Sequence, residues 1–318
     1  MRSLVTGGAG FIGSHLVDAL AEAGDEVLVI DDLSVGRREN LSDALARGVE
    51  LRVGDITDHG SVDSAFADLH PQRCFHLAAQ ADVRRALADP ALDARVNVLG
   101  TINVLEAARH GATPVTFAST GGAIYGEGDK RHPPLDEAVR CEPESPYGMS
   151  KLAAEGYLEL FARAHRVPGA ALRLGNVYGP RQDPSGEAGV IAIFCGRLLG
   201  GDRPTVFGDG LQTRDYVYVT DVVAALLAAA DRLTSPEDSI PGVLNVGTGT
   251  ETSVLELVKR LAELSGDAEF EPEHAPARPG EIQRIALDSG AARRALGWAP
   301  ETDLGAGLAL TLESFRRG

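Results

Sequence analysis

The sequence predicts a doubly wound parallel α/β sheet with a smaller C-terminal lobe, and three observations carry that reading. Short apolar runs at 2–6, 26–30, 51–53, 74–77, 114–118 and 170–174 alternate with helical patterns, the rhythm of consecutive βαβ units. The first run passes straight into a glycine turn, Leu4-Val5-Thr6-Gly7-Gly8-Ala9-Gly10-Phe11-Ile12-Gly13. The second run, Val27-Leu28-Val29-Ile30, ends on Asp31 and Asp32, and an acid about 20 residues past such a turn completes a dinucleotide-binding pattern.

Taken in order, each element has a chemical reading. Phe11, Ile12, Leu16, Val17 and Leu20 form an apolar helical stripe, so Gly7, Gly10 and Gly13 stand where a pyrophosphate can rest on a helix N-terminus, against the Phe11 and Ile12 backbone. Asp31 and Asp32, followed by Ser34, would hydrogen-bond the adenosine ribose and repel a 2′-phosphate, which favours NAD over NADP. Arg37 and Arg38 follow closely and pull the other way. Asp55 and Ile56 end the third run, within reach of an adenine amino group. Leu77, Ala78 and Ala79 end the fourth, where small residues let the backbone approach a cofactor.

Ser145-Pro146 then opens a helix: serine is a good N-cap and proline suits the first turn. Tyr147 and Lys151 therefore share one helical face. A free tyrosine titrates near pH ~10, and a neighbouring ammonium together with a nicotinamide cation would lower that by roughly a few units. The pair is thus a tuned acid/base beside a hydride acceptor. After about residue 175 the rhythm loosens. Strands are expected at 214–219 and 243–247 and helices at 221–233 and 253–265. We expect an NAD-binding Rossmann-type domain over 1–174, with returns near 210–248, and a substrate lobe over 175–318. The ligand cleft should lie between them at the carboxyl ends of the strands. The stretches 127–146, 178–189 and 270–282 read as long, functional loops.

Composition narrows the function class. The chain has 318 residues, 44% of them hydrophobic, and a formal net charge of −16. That balance argues against a nucleic-acid partner and against an anionic membrane surface. An anionic substrate must then be met by local arginines. Cys74, Cys141 and Cys195 show no CxxC spacing and the eight histidines no ligand spacing, so reduced thiols and no metal site are expected. No apolar run reaches membrane-spanning length, and the first strand leaves no room for a leader. A cytoplasmic protein is the expectation.

These motifs resemble the extended short-chain dehydrogenase/reductases, and within them the UDP-glucose (UDP-galactose) 4-epimerase family. The resemblance runs through Thr6–Gly13, Asp31–Ser34, His76–Ala79, Tyr147–Lys151, Arg173–Gln182, Phe207–Tyr218 and Leu296-Gly297-Trp298. It implies NAD as a retained cofactor, with Asn97 added to its contacts, and 4-epimerisation of a UDP-hexose through a transient 4-keto sugar. A hydroxyl after the fifth strand joins Tyr147 and Lys151 in that family. The commonest pattern places it four residues before the Tyr125-Gly126 pair, where this chain has Gly121. Thr120 is the candidate hydroxyl and Ser119 the alternative.

On the substrate side the resemblance implies Asn176, Arg214 and Arg278 at the diphosphate, Glu281 at the uridine ribose, Thr205 and Phe207 flanking the uracil, and Gly189 and Val190 nearby. Ile285, seven residues after Arg278, replaces a bulky tyrosine that walls the sugar pocket in family members restricted to unacetylated sugars. It would open room for an N-acetyl group and admit UDP-GlcNAc/UDP-GalNAc. Rival activities on the same fold are a uronate epimerase or decarboxylase, for which Arg84 or Arg85 could supply a cation, and a 4,6-dehydratase, which would need an acid pair where Gly121-Gly122 stand. A non-catalytic NAD-sensing module is a further alternative. Family members dimerise through two helices per subunit, here 92–109 and 147–165, so a homodimer is expected.

Overall fold

The computed structural model describes residues 1–127, 132–184, 189–235, 240–267, 270–278 and 281–317. Six expected strands are present: β1 (Arg2–Thr6), β2 (Glu26–Asp31), β3 (Glu50–Val53), β4 (Arg73–His76), β5 (Val115–Thr120) and β6 (Gly169–Leu174). Counting short strands in chain order through β7 (Asn176–Tyr178), β8 (Thr205–Phe207), β9 (Thr213–Arg214) and β10 (Tyr216–Tyr218), the next, β11 (Val243–Val246), returns to the main sheet. The sheet is seven-stranded in the order β11-β6-β5-β4-β1-β2-β3, and every pairing in it is parallel, with Val5 opposite Val29 and Phe117 opposite Ala171. Strand order reverses between β1 and β4, and a doubly wound sheet opens its ligand crevice at such a point.

Strand residues alternate between the two faces, so each face needs its own helical layer. One layer holds α1 (Phe11–Glu22), whose Leu16, Val17 and Leu20 pack with Val5, Val29, Leu172 and Leu226. Five helices follow it: α2 (Ser42–Ala46), α3 (His59–Leu69), α4 (Val83–Ala88), α5 (Pro90–Ala94) and α6 (Gly100–Gly111). Next come α7 (Gly121–Ile124) and α8 (Pro146–His165). Phe66 of α3, Val104 of α6 and Leu158 and Phe161 of α8 cover Leu4, Ile30 and Phe117 on the opposite face. A third cluster joins α9 (Val190–Gly200), β10, α11 (Val254–Ser265) and α13 (Leu304–Arg317), with α10 (Val219–Thr234) and α12 (Gly290–Leu296) on the α1 side of the sheet.

Two elements depart from the expected pattern. The strand expected over 214–219 is broken at Asp215, whose buried carboxylate accepts from Thr248, Gly249 and Leu287. The chain bends to bring that carboxylate to three backbone N–H groups. The helix expected over 92–109 is α5 and α6 joined by a wide π-helical turn, Arg95–Leu99. Asn97 sits in that turn and reaches out sideways, as described below. Among the described residues no helix is long and apolar enough to cross a membrane.

Candidate active site

A cleft of about 1560 Å³ opens at the carboxyl ends of the strands. At one end lie Gly7, Gly10, Phe11, Ile12, Gly13 and Leu77. Gly7 has φ +72°, and a Cβ there would sit 2.5 Å from the Ala78 nitrogen; one on Gly13 would sit 2.1 Å from the Gly7 carbonyl oxygen. Only glycine keeps this turn tight. No side chain caps α1, and its first turn carries no acid, so its leading N–H groups face the cleft with their dipole intact. This cradle fits a dinucleotide pyrophosphate.

The two acids at the end of β2 hold the turn that follows them. Asp31 is buried, its oxygens accepting from the N–H groups of Ala9 and Leu33 at 2.9 Å; burial raises its pKa. Asp32 is exposed and accepts from the Ser34 N–H and hydroxyl. The cleft wall at this point is Val35, Arg37 and Asn40. Asp55 is exposed at the end of β3, holding Thr57 N–H at 2.8 Å, while Ile56 is buried beneath Gly100. Leu77, Ala78 and Ala79 are half-buried where the chain leaves β4.

Asn97 is not at the cleft wall. It is 2% exposed, accepts from Gln80 N–H, and donates to the Gln80 carbonyl, Asp93 and Ser150. Its amide is consumed in holding the π-helical turn on α8. Nearby, His76 lies between Thr6 at 2.7 Å and Thr101 at 3.0 Å. Thr101 donates its own proton to the Asn97 carbonyl, so His76 carries its proton on Nε2 and accepts from Thr6 on Nδ1. Burial and the Lys151 charge press its pKa down to about 3.

At the centre of the cleft, Ser145 caps α8 by accepting from Gly148 N–H, with Pro146 in the first turn. Tyr147 and Lys151 share a helical face as expected. The Tyr147 hydroxyl is hydrogen-bonded to Thr120, and both line the cleft. Lys151 is buried, donates to the Ala118 carbonyl at 2.8 Å, and lies 4.6 Å above the Phe117 ring. Burial lowers its pKa to about 8 against the opposing pull of Asp93 and Glu155. In the protein without its dinucleotide, burial pushes Tyr147 up to about 12, with the Thr120 bond opposing and Asp93 reinforcing, so the lowering expected of the tyrosine falls to the nicotinamide charge. The buried Lys151 ammonium is spent on a carbonyl and does not outweigh that desolvation.

The structure separates the two hydroxyl candidates. Ser119 lines the cleft beside Thr120, shares a strand face with Phe117 and donates its hydroxyl to Glu155 Oε1 at 2.6 Å. Glu155 also holds Arg173, which donates through Nη2 at 2.7 Å and through Nε at 3.0 Å. Arg173 Nη1 donates to the Tyr125 hydroxyl at 2.9 Å, and Tyr125 donates to Asn245 at 2.8 Å. This network was missed from the sequence, although a lone arginine inside the apolar run Gly169–Leu174 could have signalled it.

At the far end Asn176 lines the cleft at the start of β7. Arg214 and Arg278 both line it, and Arg278 stacks 3.8 Å from the Phe207 ring centre. The Glu281 carboxylate lies 3.5 Å from Arg214, so in this structure it meets a guanidinium. Thr205 is exposed on β8, Gly189 borders the cleft against Gln182, and Val190 begins α9. Ile285 does not open the pocket. It is 1% exposed in an apolar cluster with Ile124, Tyr125, Leu135 and Leu287, and Ile282 faces the cleft in its place. Among the described residues there is no cluster of metal-ligating side chains.

Comparison with known proteins adds independent findings. The family model described as "NAD dependent epimerase/dehydratase family" matches residues 3–247. A UDP-glucose 4-epimerase of Mycolicibacterium smegmatis is 45% identical over 318 residues, 99% of this chain and 99% of its own. A UDP-glucose 4-epimerase of Thermotoga maritima, solved with UDP-glucose, superposes with a TM-score of 0.93 at 45% identity, covering 100% of this chain and 99% of its own. A UDP-glucose 4-epimerase of Thermus thermophilus, solved with NAD, superposes with a TM-score of 0.91 at 43% identity over 99% of each chain.

Proposed function

This chain belongs to the NAD dependent epimerase/dehydratase family, and from that premise we propose that it interconverts UDP-glucose and UDP-galactose by 4-epimerisation. The carrying observation is the Tyr147–Thr120 hydrogen bond, with Lys151 one turn on, in a cleft that the glycine cradle and the two arginines also line. The cofactor is NAD. Gly7, Gly10, Phe11, Ile12 and Gly13 would hold its pyrophosphate, Asp31, Asp32 and Ser34 its adenosine ribose, and Asp55 its adenine. When bound, NAD supplies the acceptor and donor of hydride at sugar C4 and a positive charge beside Tyr147.

The chain's own groups supply the rest. Tyr147 takes the proton of the sugar 4-hydroxyl and returns it after the 4-keto sugar has turned over. Thr120 donates to or accepts from the same oxygen and so fixes its distance from Tyr147. Lys151 favours the phenolate by charge, from a buried site beneath the cleft. Arg214 and Arg278 grip the diphosphate with Asn176 beside them, since guanidinium groups pair phosphate oxygens bidentately. Glu281 would leave Arg214 for the uridine ribose, with Thr205 and Phe207 flanking the base and Gly189 and Val190 closing the wall. Tight hold on UDP and light hold on the hexose is what a reaction that flips the sugar requires.

The rival readings fare less well. A dehydratase acid pair is absent, since Gly121 and Gly122 follow Thr120, and a side chain at 121 would have to displace the Leu287 methyls, the nearer 2.4 Å from its Cβ. A sensing module has no use for the buried lysine and its tyrosine. Arg84 lines the cleft, so UDP-glucuronate belongs in the substrate panel. The chain also exposes Leu99, Met149, Tyr157 and Leu160 on the helical segments 92–109 and 147–165. We assign that apolar face to a homodimer, and light scattering at micromolar concentration tests it. Cys74 and Cys195 are buried free thiols, in keeping with a proposed cytoplasmic location. Incubating the purified protein with UDP-galactose, UDP-glucose and UDP-glucuronate tests the activity itself; turnover of the glucuronate alone would replace this reading.

A further inference from the structure

Lys151 and Glu155 lie one helical turn apart on α8, and each takes hold of the same end of β5. Lys151 donates to the carbonyl of Ala118, and Glu155 accepts from the hydroxyl of the next residue, Ser119. The residue after that is Thr120. Two consecutive residues of the strand are thus clamped to the helix that carries Tyr147. The clamp has a second anchor, because Arg173 on β6 holds both oxygens of Glu155. Arg173 continues through Tyr125 to Asn245, and Asn245 donates to the Leu135 carbonyl at 2.9 Å. Glu155 and Arg173 are 6% and 5% exposed, and neither is given a role in the proposed proton transfer.

On the reading that this cleft performs 4-epimerisation, we propose that Glu155 is a positioning residue for that chemistry: it fixes the end of β5 against α8 so that Thr120, Tyr147 and Lys151 keep one geometry. A helix and a strand packed only by apolar contact can slide by a fraction of an ångström. The distance between Thr120 and Tyr147 would follow that slide. A carboxylate holding one hydroxyl and one guanidinium removes the freedom, since three of its acceptor positions are filled from two strands. Arg173 holds the carboxylate in place by both of its oxygens.

Glu155 also presents a negative charge to Lys151. The other charged and titratable groups around Lys151 are Tyr147 one turn back on α8, Asp93 from α5 and His76 from β4, the last neutral. Removing the Glu155 charge therefore leaves Asp93 alone to favour the ammonium, which a passive strut would not do. The sequence makes this measurable, because Lys130, Lys151 and Lys259 are the chain's three lysines. A protein labelled with 13Cε-lysine shows three titrating signals, and Lys151→Met assigns the one in question.

The test compares wild type, Ser119→Ala and Glu155→Gln in kcat, KM and the 13Cε titration of Lys151. Ser119→Ala should lower kcat by about 10-fold with KM unchanged and the Lys151 titration unmoved, and Glu155→Gln should lower kcat by about 100-fold, in the range expected when a remote change misplaces reacting groups. Glu155→Gln should also shift the Lys151 midpoint to lower pH. Should that variant not fold, with Arg173 left unpaired, the double variant E155Q/R173Q takes its place with the same expected direction. Wild-type kcat in Ser119→Ala, or an unmoved Lys151 midpoint in the glutamate variant, overturns the proposal. The titration needs no sugar turnover, so its failure is distinct from a wild-type protein that epimerises nothing.

Discussion

Ser119 donates its hydroxyl to Glu155 at 2.6 Å, and that bond turns it away from the tyrosine that Thr120 meets. Adjacent strand residues face opposite ways, and with the Ser119 hydroxyl committed to Glu155 we take Thr120 as the reacting hydroxyl. Thr120→Ala should therefore lower kcat by about 100-fold or more, the lower range for a group handling the reacting proton. Ser119→Ala should cost about a tenth as much. Steady-state kinetics on both variants check this, and the reverse order would make Ser119 the reacting hydroxyl.

Cofactor selection follows from the β2 turn. Asp31 and Asp32 are both hydrogen-bonded to the turn that follows them, which fixes two carboxylates at the end of β2, the proposed site of the adenosine ribose, where a 2′-phosphate would be repelled. Calorimetry should show NAD bound in clear preference to NADP. Gly13→Ala should abolish binding of either, because its methyl would lie 2.1 Å from the Gly7 carbonyl oxygen. Equal affinity for the two dinucleotides would assign Arg37 and Arg38 to the phosphate.

Much of this was legible beforehand. The strands from β1 to β6 were expected to within two residues because apolar runs bounded by glycine or proline leave few alternatives. The Ser145 cap and the Tyr147–Lys151 face follow from local helix geometry. What the sequence hid is long-range. Asn97 is four residues from Asp93 but is spent on Gln80 and Ser150, and no local pattern reports that. Ile285 occupies an aligned position, yet its side chain packs on Tyr125 and Leu135 in a separate apolar cluster. Position in a motif does not fix the direction of a side chain.

His76 gives a pH dependence of stability whose sign is determined. Its pKa falls from the ordinary 6.5 to about 3 in the fold, so the folded state disfavours the proton. The associated stability is present above pH 6.5 and is lost progressively as pH falls toward 3. Thermal melts should show Tm declining between about pH 7 and pH 4. His76→Asn should decline less over the same interval, whatever its starting Tm. Parallel curves for the two proteins would mean that other groups carry the acid sensitivity.

The most direct measurement is the conversion of UDP-galactose by purified protein to which no NAD has been added, followed by proton NMR of the anomeric signals. The account predicts UDP-glucose appearing until both sugars stand at equilibrium, with Tyr147→Phe still binding NAD and UDP but slower by a factor of at least about 100. If the wild type leaves UDP-galactose unchanged even after NAD is supplied, or if Tyr147→Phe turns over at the wild-type rate, the assignment of this cleft to 4-epimerisation is wrong.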